Sequence, residues 1–210
     1  MTGLAPALAL AAATVGALHT LAPDHWLPIA AVARARRWPA RRTARIALAC
    51  GFGHVTVSVA LGLLALVGGT AAIESLGARS NAVASVLLIG FGLAYGLWGL
   101  RHAVARHLHG HDHRPDPSKR TAWTLFAIYC ADPCIAVVPI VFAAAPLSVM
   151  ATVAIVIVYE AATIGTMVGL TLAARAGAAR LHGAWVDRYG DGLAGATIAV
   201  TGIAVAVLGW

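Results

Sequence analysis

The chain has 210 residues, 60% of them apolar and 11% charged, and its mean hydropathy is +0.82. Soluble domains carry about a quarter charged residues, so this composition argues against a water-soluble fold. The net charge of +7 would point to nucleic acid in a soluble protein, but the cations sit in short segments between apolar runs; no nucleic-acid partner is expected, and the charge reads as an orientation signal.

About 20 apolar residues are needed to cross the hydrocarbon core. Stretches of that kind run over 4–33, 44–68, 81–100, 121–145, 147–174 and 191–210, which predicts an all-α polytopic membrane protein of about six transmembrane helices forming a single transmembrane domain, 1–210. Met1 to Ala13 has no basic residue ahead of its apolar stretch, so it is read as the start of the first span and not as a cleaved signal. The connection Arg34–Arg45 holds six Arg, Arg101–Arg120 five Lys or Arg, and Arg175–Arg188 three, whereas Gly69–Ser80 and Ala145–Ser148 hold only Arg79. This alternation predicts that the basic connections are cytoplasmic and both termini outside, in a cell membrane of the bacterial inner-membrane type. Trp26, Trp38, Trp98, Trp123, Trp185 and Trp210 fall near the span ends and are read as interfacial anchors.

Three spans facing three would give the halves opposite senses, as in inverted transporter repeats. At an offset of 110 residues Pro23 meets Pro133, Ala84 meets Ala194, Gly92 meets Gly202, Ala94 meets Ala204 and Gly99 meets Gly209. Gly92-x3-Gly96 and Gly165-x3-Gly169 are expected to allow close helix packing.

The first span reads His19-Thr-Leu-Ala-Pro23-Asp24-His25-Trp-Leu-Pro28. On a regular helix His25 would lie about 240° round from His19, so the polar side chains share a point only if the helix unwinds. Pro23 supplies the break by depriving the His19 carbonyl of its donor, and Pro28 does the same for Asp24. Two imidazoles, a carboxylate and freed backbone oxygens can then converge, as at the midplane sites of transporters. Imidazole favours nickel, cobalt, copper and zinc over magnesium and calcium.

The second span adds Gly53-His54-Val55-Thr56-Val57. The fourth adds Cys130-Ala-Asp132-Pro133-Cys134, with Pro139 beyond, and is expected to be broken too; the fifth adds Tyr159-Glu160 with Thr163. A carboxylate at a span centre costs about 2.5 to 3.5 kcal/mol, so Asp24, Asp132 and Glu160 together approach roughly 8 to 10, a cost that suggests use. His19, Asp24, His25, His54, Asp132 and Glu160 are therefore the expected metal-binding residues; the bland alternative for each alone is a structural hydrogen bond between helices. Cys50, Cys130 and Cys134 lie in apolar runs, where a free thiol usually behaves as a small hydrophobe, with metal ligation by Cys130 or Cys134 as the lesser alternative. Spans three and six read as scaffold. Residues 101–120 form a predicted cytoplasmic His-rich loop with His102, His107, His109, His111 and His113, fit for weak, reversible metal gathering. His182 stands alone.

His19-x4-Asp24-His25 in the first span, Gly53-His54-Val55-Thr56-Val57 in the second and the Arg-rich segment between them resemble the nickel/cobalt transporter superfamily, which includes the NiCoT permeases, the NicO efflux proteins and the UreH-like permeases. The likeness covers about a third of the chain. It implies selective movement of Ni²⁺ or Co²⁺, with the H-x4-D-H residues and the next His in recognition. Departures are the missing extra helix of the larger permeases and the Pro before the motif Asp; the length suits the smaller branches.

The functional expectation is a secondary transporter of divalent transition metal, nickel or cobalt with zinc also open, and more transporter than enzyme. There is no phosphate-binding loop for ATP. The alternatives are a membrane-embedded zinc hydrolase using the same residues and a transmembrane thiol-disulfide electron carrier using the three Cys. The expected partners are the metal ion and membrane lipid, with a homo-oligomer left open.

Overall fold

The computed structural model describes residues 4–68, 70–109, 118–132, 134, 136–180 and 183–208. Helices and turns account for nearly all of them, with no strand among the described residues. In chain order they form α1 (Leu4–His19), a 3-10 turn (Pro23–His25), α2 (Leu27–Ala35), α3 (Ala40–Gly68), α4 (Thr70–His109), α5 (Ser118–Ala131), α6 (Val137–Ala144), α7 (Val149–Ala178) and α8 (Ala184–Leu208).

Four stretches are long and apolar enough to cross a membrane: Ala40–Leu64 in α3, Ala82–Val104 in α4, Val149–Ala178 in α7 and Arg188–Leu208 in α8. The first and fourth predicted spans are each delivered as two shorter helices, α1 with α2 and α5 with α6. Proline sets the first break. Pro23 begins the 3-10 turn and Pro28 lies in the first turn of α2, where a helix does not use its N–H, so each proline opens a helix and kinks none. Pro133 lies outside the described residues. Pro139 sits in the first turn of α6.

Two differences from expectation concern helix extent. α4 begins at Thr70 and ends at His109, so residues 70–80 of the expected connection and the first part of the His-rich segment are helical. Neither stretch holds a proline, and helix propensity carries an Ala-, Leu- and Arg-rich chain through. His111, His113, His182 and Trp210 lie outside the described residues.

The bundle has two apolar cores. One gathers Ile29 and Val32 of α2, Cys50 of α3, Leu125 and Tyr129 of α5, Met167 of α7 and Ile198 of α8. The other gathers Ala12 of α1, Val55 of α3, Val137 and Val141 of α6, and Ile155 and Tyr159 of α7. Both breaks fall between the two cores, and they are traversed in opposite senses: α1 to α2 runs from the second core to the first, α5 to α6 from the first to the second. α1 packs on α7 as α5 packs on α3, and α2 packs on α7 as α6 packs on α3. Large apolar side chains such as Leu10, Phe52, Leu64, Val86, Ile157 and Val200 face outward, the pattern of a surface bathed in lipid.

α4 and α8 form the most extensive helix pair. Glycine allows it: a Cβ on Gly92, Gly99, Gly195 or Gly202 would collide with backbone of the opposite helix, Gly92 with Ala199 and Gly195 with Gly96. The offset-matched Gly92 and Gly202 thus lie in one seam. Gly165 and Gly169 depart from expectation, because a Cβ on either meets nothing within 4 Å; their spacing is shared with Gly92 and Gly96, but no neighbouring helix lies over that face among the described residues.

Trp38 also departs from the anchor reading. It is 2% exposed, and Arg37, at φ 51°, turns the chain so that the Trp38 amide donates to the Ala33 carbonyl at 2.9 Å. Arg175 donates to the Trp38 carbonyl at 2.8 Å and Arg34 to the Ala178 carbonyl at 2.9 Å, so two arginines of the basic connections lock the ends of α2 and α7 together. Trp123 and Trp185, 71% and 62% exposed, do fit an interface.

The seam gives a direct test. Gly195→Ala is expected to lower stability by about 1 to 3 kcal/mol through overpacking, while Gly169→Ala, on an open helix face, is expected to be neutral or to stabilise by up to about 1 kcal/mol through helix propensity. Thermal unfolding of the two variants in detergent micelles checks the contrast; equal effects would contradict the packing described.

Candidate metal centre

Three segments meet between the two cores. His19 ends α1, Asp24 and His25 lie in the 3-10 turn, His54 lies on α3 between the core residues Cys50 and Val55, and Cys134 lies in the break between α5 and α6. One ligand atom each from His19, His54 and Cys134 lies within 4.8 Å of the other two. Tetrahedral bonds of about 2.0 to 2.3 Å place donors roughly 3.5 Å apart, so small side-chain rotations close the set on an ion. His25 stands edge-on to both imidazoles, its ring centroid 4.3 Å from that of His19 and 5.1 Å from that of His54.

Hydrogen bonds orient these rings. The Nδ1–H of His25 donates to the Asp24 carboxylate at 2.9 Å, and the Nδ1–H of His54 donates to the Tyr129 carbonyl at 3.3 Å. Each bond leaves Nε2 with its lone pair, the tautomer a metal ligand needs. The Nε2 atoms of His19, His25 and His54 are all buried without a hydrogen-bond partner. A buried polar atom left unsatisfied costs about 1 to 3 kcal/mol, so three together are a costly arrangement that a metal ion would relieve.

The breaks are stitched to one another. Tyr129, 4% exposed, donates its hydroxyl to the carbonyls of both Asp24 and His25 at 2.9 Å. The Cys134 amide donates to Ser58 Oγ at 2.7 Å, and the Ser58 hydroxyl donates to the His54 carbonyl at 2.7 Å. The Cys134 thiol and the Tyr159 hydroxyl share a hydrogen bond of 3.0 Å. Gly53 brings α3 close to α5, for a Cβ there would lie 2.6 Å from the Cys130 sulfur.

The expectation that freed carbonyls join the metal site is corrected. The His19 carbonyl accepts from the Ala22 amide at 3.2 Å, one turn tightened to 3-10 geometry, and the Asp24 carbonyl accepts from Tyr129. Of the six expected site residues, His19, Asp24, His25 and His54 are brought together, with Asp24 holding His25. Asp132, half-buried in the second break, is within electrostatic reach of Asp24 and His25. Glu160 is half-buried on α7 and outside the donor group.

Cys134, which the sequence offers as a small hydrophobe first and as a ligand only second, joins the donor group; Tyr129, Ser58 and Tyr159 were not singled out as supports. The available signal was position: Cys134 follows directly on the proline of the second break, and Tyr129 and Tyr159 each precede a residue already flagged in their spans. Cys50, Cys130 and Cys134 are free thiols. Compared with protein-family models, curated proteins and solved structures, the chain finds no match.

Tyr129→Phe keeps the ring and removes the donor to two buried carbonyls. It is expected to destabilise the protein by about 1 to 3 kcal/mol, read as a lowered unfolding midpoint in detergent. A midpoint unchanged from wild type would show that the hydroxyl does not hold the first break.

Proposed function

We propose that the chain is a secondary transporter of divalent transition-metal ions, with nickel or cobalt as its substrate. The observation that carries this reading is the cluster of three histidines, each with a buried, unpartnered Nε2, beside a thiol whose sulfur completes a three-donor set with His19 and His54. A His2Cys set suits borderline ions, and Asp24 and the Tyr129 carbonyl supply the outer support that fixes ligand tautomers. The resemblance of His19-x4-Asp24-His25 and Gly53-His54-Val55-Thr56-Val57 to the nickel/cobalt transporter superfamily favours those two ions over zinc.

The proposed topology has six spans, the first made of α1 and α2 and the fourth of α5 and α6. Both termini lie outside and the basic connections in the cytoplasm of a bacterial cell. The opposite senses of the broken segments and the exchange of packing partners between halves support an inverted repeat. The metal would enter between the halves, exchange hydration water for imidazole and thiolate, and leave when the halves reorient.

A second reading, a membrane-embedded zinc hydrolase, is favoured by one observation: three donors leave an open coordination position, with the Asp132 carboxylate in the neighbourhood.

Purified protein in liposomes loaded with a metal-sensitive dye is expected to move Ni²⁺ or Co²⁺ down an imposed gradient. His19→Ala, His54→Ala and Cys134→Ala are each expected to cut initial rates by at least about tenfold. Undiminished movement in all three variants would remove the site assignment. Stoichiometric zinc that survives dialysis, with no movement of any metal, would favour the hydrolase.

A further inference from the structure

A second site lies away from the metal cluster, between α3 and α5 near the basic connection that follows α2. A cavity of about 350 Å³ opens there, with Ile46, Cys50, Trp123 and Phe126 among its apolar walls and Arg42, Arg45 and Lys119 as its charged lining; among the described residues no acidic side chain lines it. Its walls belong to helices whose outward faces are apolar, with Leu48, Phe52 and Trp123 exposed. The Arg42 guanidinium lies over the Trp38 ring at 4.9 Å, which orients that side chain.

We propose that this cavity binds one anionic phospholipid, its phosphate held by Arg42, Arg45 and Lys119 and the upper part of an acyl chain laid on Trp123 and Phe126. The two halves of the site select the two halves of such a molecule. Three cations lining an apolar cleft complement a phosphodiester that carries net negative charge, whereas a zwitterionic headgroup brings its own cation into the same field. A free anion would gain nothing from the aromatic walls, and a neutral amphiphile nothing from the cations. Arginine suits the phosphate because its planar fork donates two parallel hydrogen bonds. The site spans α3, which carries His54, and α5, which carries Tyr129, so its occupant bridges the two helices. The proposal depends on the membrane setting and not on the identity of the metal or on transport.

Native mass spectrometry of the detergent-purified full chain, titrated with phosphatidylglycerol, phosphatidylcholine or inorganic phosphate, tests it. Expected are one saturable phosphatidylglycerol adduct, binding of phosphatidylcholine weaker by at least about tenfold, and no displacement by inorganic phosphate. The triple variant Arg42→Ala, Arg45→Ala, Lys119→Ala should lose the adduct, and Ala122→Trp, which fills the cleft and keeps the charges, should lose it as well. Arg180→Ala with Arg188→Ala, which removes two cations elsewhere, should keep it. Equal affinity for the two lipids, retention of the adduct in Ala122→Trp, or displacement by free phosphate would each overturn the site.

Discussion

The hydroxyl of Tyr129 holds the arrangement together. A helix interrupted in an apolar environment exposes carbonyls that no water can satisfy, and each must find a donor within the protein. Pro23 and Pro28 create that debt in the first broken segment. Tyr129 settles it for Asp24 and His25 with one hydroxyl, and its own carbonyl receives the Nδ1–H of His54. One residue at the end of α5 thereby fixes the first break, the ring of α3 and the approach to the second break. Ser58 repeats the device on the other side by linking the Cys134 amide to the His54 carbonyl. The two breaks face each other because each is completed by groups from outside its own segment.

With the backbone satisfied, the polarity left over belongs to side chains. Asp24 and the Tyr129 carbonyl take the Nδ1 hydrogens of His25 and His54, and nothing takes the Nε2 lone pairs. Apolar cores above and below exclude competing donors. A structural explanation of these histidines would pair both nitrogens of each ring, as buried polar groups in ordinary cores are paired. The half-satisfied state is what a ligand site requires, and it is the physical ground on which metal binding is preferred here.

The helical character of the chain and the interruption of its first span were legible in the sequence, since hydropathy and proline position report on local backbone. So was the company of His19, Asp24, His25 and His54, which rests on two motifs and an Arg-rich turn. Cys134 was legible as a donor only as the lesser alternative, shared with Cys130, because a thiol in an apolar run is silent about which way it faces; the fold brings it to His19 and His54. Trp38 misled for a related reason. A tryptophan near a span end reads as an interfacial ring, but the left-handed turn at Arg37 folds it inward. Gly165 and Gly169 share their spacing with Gly92 and Gly96, and the pattern does not distinguish a packed helix face from an open one. The extent of α4 was hidden because a polar stretch between spans can be helical without being apolar.

The two kinds of helix pair divide the work of the molecule. α4 and α8 are unbroken and touch backbone to backbone along a glycine seam, so their relative position is set by many short contacts that no small rearrangement preserves. The broken segments pack into the two apolar cores, and at the breaks themselves they are joined by hydrogen bonds centred on two tyrosines and a serine. α2 connects the two regimes: Arg36 donates to the Tyr95 hydroxyl at 2.8 Å and lies 3.3 Å from the Asp191 carboxylate, which accepts from Tyr95 at 2.6 Å. The guanidinium also covers the Trp98 ring at 4.5 Å. This places the end of the first broken segment on the rigid pair while leaving α1 to pack on α7. The donor atoms of His19, His54 and Cys134 therefore lie where a half-helix anchored to the α4 and α8 pair meets one packed on α7, beside the turn that carries Asp24 and His25.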